Sequence, residues 1–294
     1  MKQCLLWFMV LLATKLFAWG DLGHEVTAKI AWSQMDVKTQ EKATQLLQLT
    51  APFYEENKSF ITASRWADLI KPGMPAYNNW HYINQAYILA PLTKAPDADK
   101  VNIIFGLCQA SKTLKTSRRE FDKAWMLPML IHLVGDAHQP LHGATQYSED
   151  KPDGDQGGNL YFILVNGRIV NLHLYWDLGL GLLGEFNVPY HPVTTEDLKT
   201  EKLAADWAAE FPPAYFKEQI QDINFENWTK TDLALAKDTV YRTPEYAAPS
   251  EAYIAAGQKL IKERVVLAGY RLAYLIQKLF NSNEKLNLGC PWIK

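Results

Sequence analysis

The sequence holds 294 residues, 48% of them hydrophobic and 21% charged, with 30 basic against 32 acidic side chains. A formal charge of −2 excludes a generally basic face for nucleic acid, so a polyanionic substrate would need a few local cations or a metal to hold it. No repeat, low-complexity tract or Gly/Ser-rich or Pro-rich linker divides the chain, and its apolar content suits one large domain.

Residues 1–18 carry Lys2, an apolar run from Leu5 to Leu12, and then Leu16-Phe17-Ala18 before Trp19. This reads as a secretory signal peptide, too short to span a bilayer stably, so no membrane anchor is expected. A cut after Ala18 leaves residues 19–294 as the functional domain and Trp19 as its first residue, although Leu16 at −3 is larger than the usual small side chain. Loss of Lys2 and Lys15 moves the formal charge to −4. Cys4 leaves with the leader. That leaves Cys108 and Cys290 in an exported protein, where a disulfide and two separate thiols both stay open.

Helical periodicity dominates the rest of the chain. Segments 24–35, 38–49 and 62–71, the last stopped by Pro72, repeat apolar residues at three- and four-residue spacing. Residues 100–115 and 127–138 continue the pattern, the second starting around Pro128, which a first turn tolerates. Leu160–Val165 and Arg168–Val170 flank Asn166-Gly167 and predict a hairpin with a two-residue turn. Further helices are expected over 195–211, 227–238 and 250–280. The fold class is mainly α: a single compact multi-helix domain with one small β-hairpin.

Chemistry concentrates in HLVGDAHQPLH, residues 132–142. Residues four apart on a helix lie about 40° apart around its axis, so His132 and Asp136 project from one face as an imidazole and a carboxylate. Pro140 stops the helix, and His142 returns from the turn beyond as a third donor. His138 points away from that pair and reads as a packed or supporting side chain. His173 and Asp177 repeat the four-residue spacing after the hairpin. His81 follows Trp80 in a loop, Asp68 ends the preceding helical segment, and His24 lies shortly after Trp19. Of the seven histidines, only His138 and His191 fall outside such settings. One histidine alone would more often be structural, but two His-x3-Asp pairs and three further donors make coincidence a poor account. Imidazole with carboxylate and no thiolate cluster suits zinc. The run from Asp153 mimics a calcium loop but has Leu164 where a bidentate Glu is required.

Trp19-Gly20 with Gly23-His24, ASRWAD ending at Asp68, WHYIN from Trp80, HLVGDAHQPLH, DQGGN from Asp155 and NLHLYWD ending at Asp177 occur in this order. Together they resemble the zinc-dependent S-one/P-one (S1/P1) nuclease family. The resemblance implies a phospholipase C/P-one-like helical fold with three Zn2+. Asp68, His81, His132 and Asp136 would hold one ion, and His142, His173 and Asp177 a second. The amine and carbonyl of Trp19, with His24 and a bridging Asp136, would hold the third.

It also implies a secreted or periplasmic endonuclease that hydrolyses single-stranded DNA and RNA to 5′-phosphorylated products, with 3′-nucleotidase activity. Asp68 would orient the attacking water or take its proton. Lys71 would steady the phosphate; its bland reading is a solvated lysine at a helix end. Tyr82 would stack on a base. Asn84 stands where fungal members carry Asp, so base preference is open. Gly157, Gly158 and Asn159 would form a base-facing loop, and the glycines also serve the turn into the hairpin. A zinc-dependent phospholipase C and a non-enzymatic zinc-binding surface protein are the alternatives. Asn57-Lys-Ser and Asn227-Trp-Thr match glycosylation acceptors, relevant only in a eukaryotic secretory pathway.

Overall fold

A computed structural model describes residues 19–186 and 198–290. The expected signal peptide, His191 and the start of the helix expected from Thr195 lie outside the described residues. Helix α1 (Asp21–Gln34) is followed by α2 (Val37–Gln48), whose first turn is capped by the Asp36 carboxylate accepting from the Thr39 N–H at 2.7 Å. The helix expected over 62–71 is instead a 3-10 turn, Thr62–Arg65, running into the short α3 (Trp66–Ile70). Side-chain hydroxyls explain the change. Ser64 donates to the Ile61 carbonyl at 2.6 Å and Thr62 also bonds upstream carbonyls, offering the backbone an alternative to the α-helical ladder.

A 3-10 run, Pro75–His81, leads to strand β1 (Ala86–Ile88) and then α4 (Ile103–Thr116), capped by Asn102. Helix α5 (Glu120–Asp136) starts earlier than expected and carries Pro128 in its interior. The missing N–H costs about 3 kcal/mol, which burial of every residue from Leu127 to Asp136 offsets. The helix ends at Asp136 rather than His138, because Gln139 N–H turns back to the Asp136 carbonyl at 3.0 Å and Pro140–His142 forms a 3-10 turn.

Strand β2 (Thr145–Tyr147) pairs in parallel with β1, a pair too short to leave a periodic signal. The expected hairpin forms from β3 (Phe162–Val165) and β4 (Arg168–Asn171). Its turn places Asn166 and Gly167 at φ 49° and 76°, the left-handed region that a two-residue turn of this kind demands. Helix α6 (Leu172–Asp177) follows at once, capped by Asn171. Then come α7 (Leu198–Glu210), α8 (Pro213–Phe216), α9 (Phe225–Asp238) and the long α10 (Glu251–Asn281). The fold is mainly α-helical, as expected.

Two apolar clusters form the interior. One gathers Trp66, Leu107, Leu127, Met129 and Leu272; the other gathers Trp19, Trp176, Trp207, Ile261 and Val265. Helices α1 and α10 contribute to both, so their packing against each other joins the two halves. Elements α3, α5 and the 75–81 run belong to the first half; α6 and the hairpin belong to the second. Cys108 on α4 and Cys290 are joined by a disulfide, which closes the alternative left open by the sequence. Among the described residues no helix is long and apolar enough to cross a membrane. Asn57 is fully buried, its amide donating to the Thr50 hydroxyl at 2.9 Å, so that acceptor motif is inaccessible. Asn227 is exposed.

Candidate metal centre

His24 projects from α1, Asp68 from α3, His81 from the end of the 75–81 run, and His132 and Asp136 from α5. The five converge in the interior. His81 Nδ1 lies 2.9 Å from Asp136 Oδ2 and 3.1 Å from His132 Nε2. His132 Nε2 is 3.2 Å from Asp136 Oδ2 and 3.5 Å from Asp68 Oδ1. The other Asp136 oxygen faces His24 Nε2 at 3.3 Å, so one carboxylate addresses two sets of imidazoles. Gly135 permits this approach: a Cβ there would stand 2.7 Å from His24 Nδ1. The His24 and His132 rings stack at 3.9 Å.

His142, His173 and Asp177 form a second group. His173 Nε2 is 3.2 Å from His142 Nε2 and 3.4 Å from Asp177 Oδ2. Backbone carbonyls fix both rings: His142 Nδ1 donates to the His81 carbonyl and His173 Nδ1 to the Gly157 carbonyl, each at 2.6 Å. With Nδ1 committed as donor, Nε2 keeps its lone pair for the group's centre. Gly157 must be glycine, since φ is 63° and a Cβ would fall 2.5 Å from the Leu141 carbonyl oxygen. Three triads bring donor atoms within 4.8 Å of one another: His24, Asp68 and His132; His81, His132 and Asp136; and His142, His173 and Asp177.

None of these eight residues is more than 7% exposed. Burial, with the positive charges of neighbours, holds His81 down to about 3, His24 to about 4 and His173 to about 3, so all three are neutral at pH 7. For His132 burial works against the charged form, but the Asp136 and Asp68 carboxylates outweigh it and raise its value. Asp68 and Asp136 stay ionised despite burial because Lys71, His132 and the other imidazoles face them. Burial pushes Asp177 up against the opposing hydrogen bond from Gln139.

Several buried atoms here accept or donate no hydrogen bond: both His24 nitrogens, His81 Nε2, both Asp68 oxygens and Asp136 Oδ1. Unsatisfied polar atoms packed this densely are costly without a cation. The donor set is nitrogen and oxygen, and both cysteines of the described residues are spent in the disulfide. The residues therefore fit a zinc-type ion.

Trp19 is buried, its indole N–H donating to the Gly135 carbonyl at 3.0 Å, while Gly20 N–H reaches the Asp177 carbonyl at 2.8 Å. Trp19 and Gly20 are thereby tied to α5 and α6. Lys71 Nζ stands 2.5 Å from Asp68 Oδ1 with its side chain 22% exposed. Tyr82, half-buried, donates to Asn79 at 3.0 Å, and the Asn84 side-chain carbonyl accepts the Thr145 hydroxyl at 2.7 Å. Gly158 has φ 82°, and Asn159 donates to the Gln156 carbonyl at 2.9 Å.

His138 is packed, as expected. Its Nδ1 donates to the Val134 carbonyl at 2.8 Å and its Nε2 accepts from Arg271 at 2.9 Å, while Arg264 donates to its carbonyl at 3.2 Å and pairs with Asp232 at 2.6 Å. These partners escaped sequence reading, as did Gln139, whose amide meets Asp177 at 2.7 Å. Gln139 at least had a signal, a polar residue locked between two motif histidines.

Comparison with known proteins gives concordant results. The sequence profile described as S1/P1 Nuclease matches residues 19–281. Endonuclease 2 of Arabidopsis thaliana is 25% identical over 285 residues, covering 91% of this chain and 92% of the relative. Nuclease S1 of Aspergillus oryzae is 24% identical over 290 residues, covering 89% and 92%. Endonuclease 4 of Arabidopsis thaliana is 26% identical over 307 residues, covering 95% and 96%.

Proposed function

The chain belongs to the S1/P1 nuclease family, and on that premise we propose that it is a zinc-dependent endonuclease for single-stranded DNA and RNA, releasing 5′-phosphorylated products and removing phosphate from 3′-nucleotides. The observation that carries this reading is the buried convergence of five histidines and three aspartates with unsatisfied donor atoms. Asp68, His81, His132 and Asp136 would hold one ion and His142, His173 and Asp177 a second. His24 and Asp136, with the main chain of Trp19, would hold a third. When bound, such ions supply Lewis acidity, acidifying a water and neutralising the charge on the departing 3′-oxygen.

The chain's own groups supply the rest. Asp68 Oδ1 is paired with Lys71, whereas Oδ2 has no partner, so Oδ2 is free to orient the attacking water and take its proton. Lys71, beside Asp68 and open to solvent on one side, steadies the phosphate. Tyr82 offers a ring face for stacking, which suits unpaired bases of any identity. With its carbonyl occupied by Thr145, Asn84 presents amide N–H groups to a base edge, and Asn159 with Gly157 and Gly158 forms the opposing contact. Residues 19–294 act as one domain after removal of residues 1–18, in the periplasm or outside the cell.

The test is metal analysis of the processed protein beside an assay on single-stranded DNA, duplex DNA, RNA and a 3′-nucleotide, with phosphatidylcholine as control. About three zinc ions per chain and cleavage of the single-stranded substrates, lost on chelation and restored by zinc, are expected. Equal activity after exhaustive chelation would refute the reading.

A further inference from the structure

We propose that Gln139 is a positioning residue that restricts Asp177 to binding its ion through one oxygen, keeping a coordination position at the His142–His173 pair open for substrate. The inference rests on the zinc reading of the site. Gln139 is fully buried. The Leu141 backbone N–H, which can only donate, meets its Oε1 at 2.6 Å. That contact fixes the orientation of the amide: the opposite end must be the NH2 group. This end donates to Asp177 Oδ1 at 2.7 Å. The remaining oxygen, Oδ2, is the one 3.4 Å from His173 Nε2. The two carboxylate oxygens are therefore chemically distinct, one held by an amide and one turned to the imidazoles.

The residue is itself immobilised. Its N–H donates to the Asp136 carbonyl at 3.0 Å, and its carbonyl accepts from the His142 N–H at 2.9 Å. A single residue thus connects the backbones of Asp136 and His142 through its own main chain and Asp177 through its side chain. Two imidazoles and one oxygen leave a tetrahedral ion an open position, which a second carboxylate oxygen would fill.

Two variants separate this role from simple packing. Gln139→Met removes the amide at similar volume, and Gln139→Leu removes it with a branched side chain. Both should lower kcat about 10- to 100-fold with KM changed by less than about twofold, and both should weaken the visible absorption of the cobalt-substituted protein as an ion gains an oxygen. Wild-type kcat and cobalt spectrum in Gln139→Met would overturn the proposal. A crystal structure of the zinc-loaded wild type decides the matter even where a variant does not fold. One Asp177 oxygen on the ion and the other on Gln139 is expected; both oxygens on the ion would overturn this inference alone. An ion absent from His142, His173 and Asp177 would overturn the zinc reading as well.

Discussion

The two ligand groups are built by different means. In the first, His24, His132 and Asp136 ride on helices packed so closely that Gly135 is the residue His24 rests against, and neither ring nitrogen of His24 has a hydrogen-bond partner. In the second, short elements carry the ligands, and each has a partner holding its far side: the His81 carbonyl for His142, the Gly157 carbonyl for His173 and the Gln139 amide for Asp177. His132 is also held by a carbonyl, its Nδ1 donating to Ser64 at 2.6 Å, so the contrast lies in His24, whose ring is fixed by packing alone, against the hydrogen-bonded ligands of the second group. The groups should therefore fail in different ways.

The largest effect should come from Asp136, the residue that both ions proposed for the first group would share. Asp136→Asn is expected to remove several kcal/mol of transition-state stabilisation, about a thousandfold in kcat/KM, and to lower bound zinc by atomic absorption. Next, Gly157→Ala combines a positive φ with contact against the Leu141 carbonyl. It should displace the partner of His173 and cost about 10- to 100-fold in activity, with zinc lost from the second group in a crystal structure. Gly135→Ala tests the opposite case. Its added methyl meets His24, and overpacking of about 1–3 kcal/mol should lower thermal stability and occupancy at His24 while leaving His142, His173 and Asp177 occupied. Loss of the second group instead would contradict the distinction. Smallest is Tyr82→Ala, where loss of stacking worth about 1 kcal/mol should raise KM for single-stranded DNA roughly fivefold, without change in zinc content.

What the sequence displayed was local order. His132 with Asp136 and His173 with Asp177 were legible because helical geometry fixes neighbours four residues apart, and the hairpin because Asn166-Gly167 suits its turn. Pro128 misled as a helix start, since burial along α5 overrides its penalty. The 62–71 segment misled because hydroxyls of Thr62 and Ser64 compete for the backbone. The β1–β2 pair and the Arg271–His138 contact, 133 residues apart, leave no periodic trace. The candidate ligands could be picked out from spacing and motif, whereas most of what holds them in place could not, because it comes from distant parts of the chain.

The link between Cys108 and Cys290 spans 182 residues, so a ribosome must finish nearly the entire product before oxidation can occur. Chains stopped short of residue 290 retain a thiol walled into the interior, where Cys108 is 1% exposed. In a preparation lacking residues 1–18, and so Cys4, alkylation with a mass-tagged maleimide after denaturation would therefore count premature termination products, while the completed molecules stay unlabelled.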